Sequence, residues 1–105
     1  MKALLLAIVA ASSMLVAAQV NAADETALAQ KSGCLACHSV DKKILGPAYK
    51  DVAAKYKGDK SAEAKLIAKI KTGGSGVWGP MPMPANSPQV KDDDIKKLVV
   101  WILSL

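Results

Sequence analysis

The pentapeptide Cys34-Leu35-Ala36-Cys37-His38 limits what this chain can fold into more than any other stretch. Two thiols at this spacing can each add across one vinyl group of a porphyrin. The residue that follows is placed to put an imidazole on the iron. This is the covalent attachment pattern of a c-type haem. The composition agrees with a fold built round such a plate: there is no Phe, and the aromatic residues are Tyr49, Tyr56, Trp78 and Trp101. A domain this small buries little apolar surface and needs a staple, and a porphyrin supplies the flat apolar area the side chains lack. Haem iron changes oxidation state by one electron without breaking bonds, which points to electron transfer rather than turnover of a substrate.

The first residues read as a leader. Lys2 gives a positive start, Ala3 to Val16 is apolar except for Ser12 and Ser13, and Val20-Asn21-Ala22 offers a cleavage site. That is the layout of a secretory signal peptide. A spanning helix needs about 20 apolar residues, and this run is shorter, with a polar tail from Gln19. Cleavage after Ala22 removes residues 1–22 and leaves residues 23–105, 83 residues, as one domain. No second long apolar run follows, so no stable membrane insertion is expected after cleavage. Exported cysteines are oxidised or chemically occupied. Cys34 and Cys37 therefore form either a disulfide or two haem thioethers.

Every basic residue is lysine. Without Lys2 the mature chain carries 13 Lys against 9 Asp plus Glu, a net charge of +4, and two haem propionates would lower it. So modest an excess suits steering toward acidic proteins. The absence of Arg argues against nucleic acid, where Arg forks dominate base and phosphate recognition.

The patterning predicts an all-α fold: four or five short helices around one haem. No segment alternates as a strand does, so no sheet is expected. Asp24 to Ser32 reads as a first helix, with Asp24 and Glu25 in its first turn and Gly33 after its end. Residues 41–46 read as a loop. Pro47 is suited to open a second helix that runs through Ala48 to Tyr56 and stops at Gly58. Ser61 to Thr72 is a third, with Ser61 as N-cap, Leu66, Ile67 and Ile70 inward, and Lys65, Lys69 and Lys71 outward. Asp92 to Ser104 is the last: three aspartates open it, and Ile95, Leu98, Val99 and Ile102 form a core stripe. Trp101 flanks that stripe and is expected against the first helix or the haem edge.

His38 is the one histidine, so any second axial ligand from this chain must be something else. Met1 and Met14 leave with the leader. Met81 and Met83 remain, both between prolines in a stretch from Gly73 to Pro88 that holds four of the seven glycines and four of the five prolines. A thioether is a soft ligand that raises the potential of a haem iron. Prolines on either side would hold a sulfur in place with little entropy to lose. Both methionines could instead fill gaps in a core, and spacing does not choose between Met81 and Met83.

From Lys31 to Leu103 the sequence resembles the small bacterial class I monohaem cytochromes c of the c-551 or c8 type. The residues that carry the likeness are Gly33 to His38, Gly46-Pro47-Ala48-Tyr49-Lys50-Asp51-Val52-Ala53, Gly76-Val77-Trp78-Gly79-Pro80-Met81-Pro82-Met83-Pro84 and Trp101-Ile102-Leu103-Ser104. The resemblance implies one covalent haem c per chain, with thioethers at Cys34 and Cys37 and axial ligands His38 and Met83. It also implies that the Pro47 carbonyl accepts from the His38 ring, that Trp78 donates to a propionate, and that Asn86 bonds near the Met83 sulfur. It implies no catalytic residue but a periplasmic electron carrier, exchanging electrons with a donor complex and with a terminal reductase, such as nitrite reductase, or an oxidase; a shuttle of this kind suits a monomer.

Lys31, Lys42, Lys43 and Lys50 are candidates for steering such partners. Three other readings compete. A haem-based ligand sensor needs weak ligation by Met83. A thiol–disulfide oxidoreductase needs a helix starting at Cys34, where here one ends. A zinc module lacks a fourth Cys or His.

Overall fold

The computed structural model describes residues 22–105, so the leader and all but the last residue of its cleavage site lie outside it. Four α-helices carry the domain: α1 (Thr26–Lys31), α2 (Tyr49–Lys55), α3 (Ala62–Thr72) and α4 (Asp92–Leu103). A short 3-10 turn, Cys34–Ala36, follows α1. The all-α reading holds with one correction. A two-stranded antiparallel sheet, β1 (Gly74–Gly76) and β2 (Gly79–Met83), closes into a hairpin between α3 and α4. These strands are glycine, serine, proline and methionine. Their pairing is a backbone event that hydrophobic alternation does not announce.

Helix α4 is the hub, and α1, α2 and α3 all pack on it. Its spacing explains why. Ile95, Leu98, Val99, Trp101 and Ile102 are buried and cover more than one face. Leu98, Trp101 and Ile102 meet Ala29 of α1 and Tyr49 and Val52 of α2. Ile95 and Val99 meet Ile70 of α3, with Met83 and Val90 at the margin. Trp101 therefore sits against the first helix, as its position predicts.

Several helix starts differ from expectation. Helix α1 begins at Thr26, and Asp24 lies before it, its carboxylate accepting from the Thr26 N–H and hydroxyl. Ser61 makes no side-chain cap; Asp59 accepts from both the Ser61 N–H at 2.8 Å and its hydroxyl. Those two bonds, with Lys65 nearby, hold the exposed Asp59 carboxyl down at about 2. Pro47 does not open α2, which starts two residues later after an extended Ala48. Lys69 is not on an outer face either: it is half-buried, its Nζ beside Gly74. Lys71 pairs with Asp92 and ties α3 to α4.

Candidate haem-binding site

A cavity of about 600 Å³ opens between the Cys34–Tyr49 segment, α3 and the β1–β2 hairpin. It lies within the usual range for small-molecule and cofactor sites, about 300–1,000 Å³. Its wall includes Cys34, Cys37, His38, Trp78, Met81 and Met83.

The attachment segment is fixed by its backbone. Gly33, at φ 80°, ends α1 and turns the chain into the 3-10 turn. The Cys37 and His38 amides both donate to the Cys34 carbonyl, and the Gly46 amide donates to the Cys37 carbonyl at 2.7 Å. The Tyr49 amide donates to Ser39, which brings the start of α2 under the histidine.

Three neighbours hold the imidazole. Its Nδ1 lies 2.8 Å from the Pro47 carbonyl oxygen. An N–H there donates to that carbonyl, which leaves Nε2 as the nitrogen with a free lone pair. Pro47 can serve in this way because it stands in the extended segment before α2, where its carbonyl is outside the helical ladder. Gly46 lies so close that a Cβ there would come within 2.6 Å of the ring. The Tyr49 ring stacks on the imidazole at 4.9 Å and 20°, and meets the Trp101 ring edge-on at 5.6 Å. Burial, reinforced by the neighbouring Cys34 thiol, pushes the Tyr49 phenol well above its usual range. Burial also raises the Cys34 thiol, against the pull of the Tyr49 hydroxyl. A thiol–disulfide exchanger needs the opposite, a thiol made acidic.

The two methionines differ. Met83 is half-buried beside the Ile70–Ile95–Val99 cluster, whereas Met81 is 59% exposed. Gly73, at φ 68°, brings the backbone so near that a Cβ would meet the Met83 carbonyl oxygen at 2.3 Å. The Asn86 amide N–H donates to the Ile70 carbonyl, and its side-chain Nδ2 reaches the Ile70 and Pro84 carbonyls. Asn86 thus anchors the segment that follows Met83 onto α3. Trp78 is partly exposed at the cavity mouth, with Lys55 Nζ 5.6 Å above its ring. Among the described residues no group of three or more His, Cys, Asp or Glu gathers to hold a metal ion by side chains alone.

The cytochrome c family model matches residues 23–105. The chain belongs to the cytochrome c family. It is 58% identical to cytochrome c-551 of Allochromatium vinosum, over 81% of this chain and 89% of that one. It is 50% identical to cytochrome c-552 of Nitrosomonas europaea, over all of this chain and 99% of the other. The crystal structure of wild-type Nitrosomonas europaea cytochrome c552 superposes with a TM-score of 0.69 at 53% identity, covering 73% of this chain and 94% of that one. The class 1 cytochrome MtoD of Sideroxydans lithotrophicus gives 0.66 at 41% identity, covering 74% and 88%.

As a small class I cytochrome c, the chain is an electron-transfer protein with one covalently bound haem c, and not an enzyme. The cavity fits that group. It offers two thiols, an imidazole already held by its far nitrogen, a half-buried thioether and an apolar wall.

Some of the site was not singled out from the sequence. Gly46 and Tyr49 belong to the segment that carries the family likeness but have no site role in the sequence reading, yet both touch the His38 ring. Gly73 was read as a helix stop, and it also sets where the Met83 backbone lies. The available signals were a glycine directly before Pro47 and an aromatic residue at the start of the following helix. Neither pattern is specific alone.

Proposed function

We propose that this protein is a periplasmic carrier of single electrons, with thioether links at Cys34 and Cys37 and axial ligands His38 and Met83. The observation that carries this reading is the His38–Pro47 contact of 2.8 Å, in a ring also packed by Gly46 and Tyr49. It occupies Nδ1, leaves Nε2 for the iron, and fixes the orientation of the ring. Met83 is favoured over Met81 because its backbone is pinned at Gly73 and its side chain is the more buried.

Bound here, the haem supplies a one-electron couple whose potential a His/Met pair raises. The protein's residues do the rest. Cys34 and Cys37 fix the group to the chain, and the apolar wall excludes water. Trp78 stands at the mouth, where its indole N–H can donate to a propionate, and Lys43 and Lys69 on the same wall bring positive charge for the two carboxylates. Asn86 holds the Met83 segment from behind, its side-chain amide donating to the Ile70 and Pro84 carbonyls.

Partners are redox proteins: a donor complex on one side, and a terminal reductase, such as nitrite reductase, or an oxidase on the other. Contact is small and transient, below about 1,200 Å², and the carrier is a monomer. Lys31, Lys42 and Lys43 are exposed and suited to steer an acidic face. Lys50 contributes less, since it pairs with Asp41. The mature domain follows removal of residues 1–22. Among the described residues no helix is long and apolar enough to cross a membrane.

Absorption and mass spectra of the exported protein test the assignment. The expected result is the mass of residues 23–105 plus one haem, and a ferric spectrum with the weak red charge-transfer band of methionine sulfur on iron. A bare-peptide mass, or a ferric spectrum lacking that band, overturns it. Raising the salt concentration should slow electron exchange with an acidic partner, and a flat response removes the steering lysines.

A further inference from the structure

Pro80-Met81-Pro82-Met83-Pro84 sets two thioethers in the same local surroundings, each between prolines. Met81 and Met83 both line the cavity, together with Pro82 and Pro84. The pairing between the strands is irregular. Gly76 pairs with Gly79 and Gly74 with Met83, so β1 advances two residues while β2 advances four. The two surplus residues lie in β2. Pairing continued regularly from Gly76–Gly79 would put Met81, not Met83, opposite Gly74. Strand β1 is Gly74-Ser75-Gly76, all exposed, with no bulky side chain to lock either register. A two-residue shift, unlike a shift of one, keeps every side chain on its own face.

We propose that Met81 is a reserve axial ligand: when the Met83 sulfur is lost, the part of β2 beyond Gly79 re-pairs with β1 in the regular register, Met81 opposite Gly74, and the Met81 thioether takes its place on the iron. The inference rests on Met83 being the ordinary ligand. The exchange makes one sulfur–iron bond where another is absent and moves no electron or proton. The Gly76–Gly79 pairing and the turn between them stay as they are, and the surplus passes into the segment before Asn86. The anchors at Gly73 and Asn86 act on that later segment, which is why Met83 holds the site while its sulfur is intact. The device keeps the iron closed to small ligands after damage to Met83.

The test compares ferric and ferrous holoprotein of Met83→Leu with the double variant Met81→Leu/Met83→Leu. The red sulfur–iron band should persist in Met83→Leu, weakened or displaced from its wild-type position, and vanish in the double variant. Ferrous Met83→Leu should bind carbon monoxide about tenfold more slowly than the double variant, because the sixth position is open only part of the time. No band in Met83→Leu, with carbon monoxide binding equal to that of the double variant, overturns the inference while upholding Met83 as ordinary ligand. A Met83→Leu band identical to wild type overturns the Met83 assignment and the inference with it. Should Met83→Leu not take up haem, Gly73→Ala keeps both sulfurs while pressing on the Met83 backbone. Its ferrous NMR spectrum should show ring-shifted methyl signals from both methionines, and a signal from Met83 alone counts against the proposal.

Discussion

On one side of the haem cavity, His38 is held by the Pro47 carbonyl, by the bare backbone of Gly46 and by the Tyr49 ring, and Tyr49 is itself buried against Trp101 of α4. On the other side, Met83 ends a hairpin of glycine and proline in which Val77, Trp78 and Met81 are all exposed. The histidine side inherits its rigidity from the helical core. The methionine side has little core of its own and relies on two backbone anchors, Gly73 and Asn86. Damage to the first should therefore cost the whole fold, whereas damage to the second should alter the iron's ligation and leave the fold standing.

The largest effect expected on this basis is from Trp101→Ala. The residue is 4% exposed and closes the stack above His38. Loss of a buried Trp costs about 3–5 kcal/mol, so denaturant unfolding should show a much lower midpoint. A loss below about 1 kcal/mol would break the link between the histidine wall and the core. Gly73→Ala comes next. It forces a side chain into φ 68° and onto the Met83 carbonyl; strain of this kind costs about 1–3 kcal/mol. The expected signature is a weakened red band and a lower reduction potential with helical circular dichroism retained, and loss of helix along with the band would contradict the division.

Smaller effects sharpen the same contrast. Lys55→Ala removes the cation above Trp78, an exposed contact worth about 0.5–1 kcal/mol. Trp78 fluorescence should become more mobile, with little change in the unfolding midpoint. The smallest effect concerns Asp59, which belongs to neither wall. Its folded-state value of about 2 lies below the ordinary 3.8, so the fold favours the carboxylate. That contribution is complete above 3.8, fades as pH falls through the window down to about 2, and is absent below it. Unfolding midpoints of wild type and Asp59→Ala should differ above this window and converge beneath it.

The same division explains what could be read from the sequence. Helices α3 and α4 declare themselves because their buried residues recur at helical spacing, and α4 was placed to within a residue. The attachment pentapeptide is legible because its chemistry demands that spacing. The hairpin is not legible in this way. Gly74-Ser75-Gly76 has no side-chain pattern to read, and strand formation there depends on the neighbouring backbone closing over it. Ser61 stands at the N-cap of α3 as its position predicts, but its hydroxyl donates back to Asp59 in an Asx-type turn and so does not cap the helix. Gly46 and Tyr49 gain their site role only once the chain folds back onto His38, a contact that neither helical nor strand periodicity encodes.

The dependence of α1, α2 and α3 on α4 bears on how the molecule comes into being. Synthesis runs from the first residue onward, so Cys34, Cys37 and His38 exist long before the helix that will cover their surroundings. Until α4 docks, Ala29, Tyr49 and Val52 lack the Leu98, Trp101 and Ile102 surface that buries them, so the histidine wall takes its final form only with the last element of the chain.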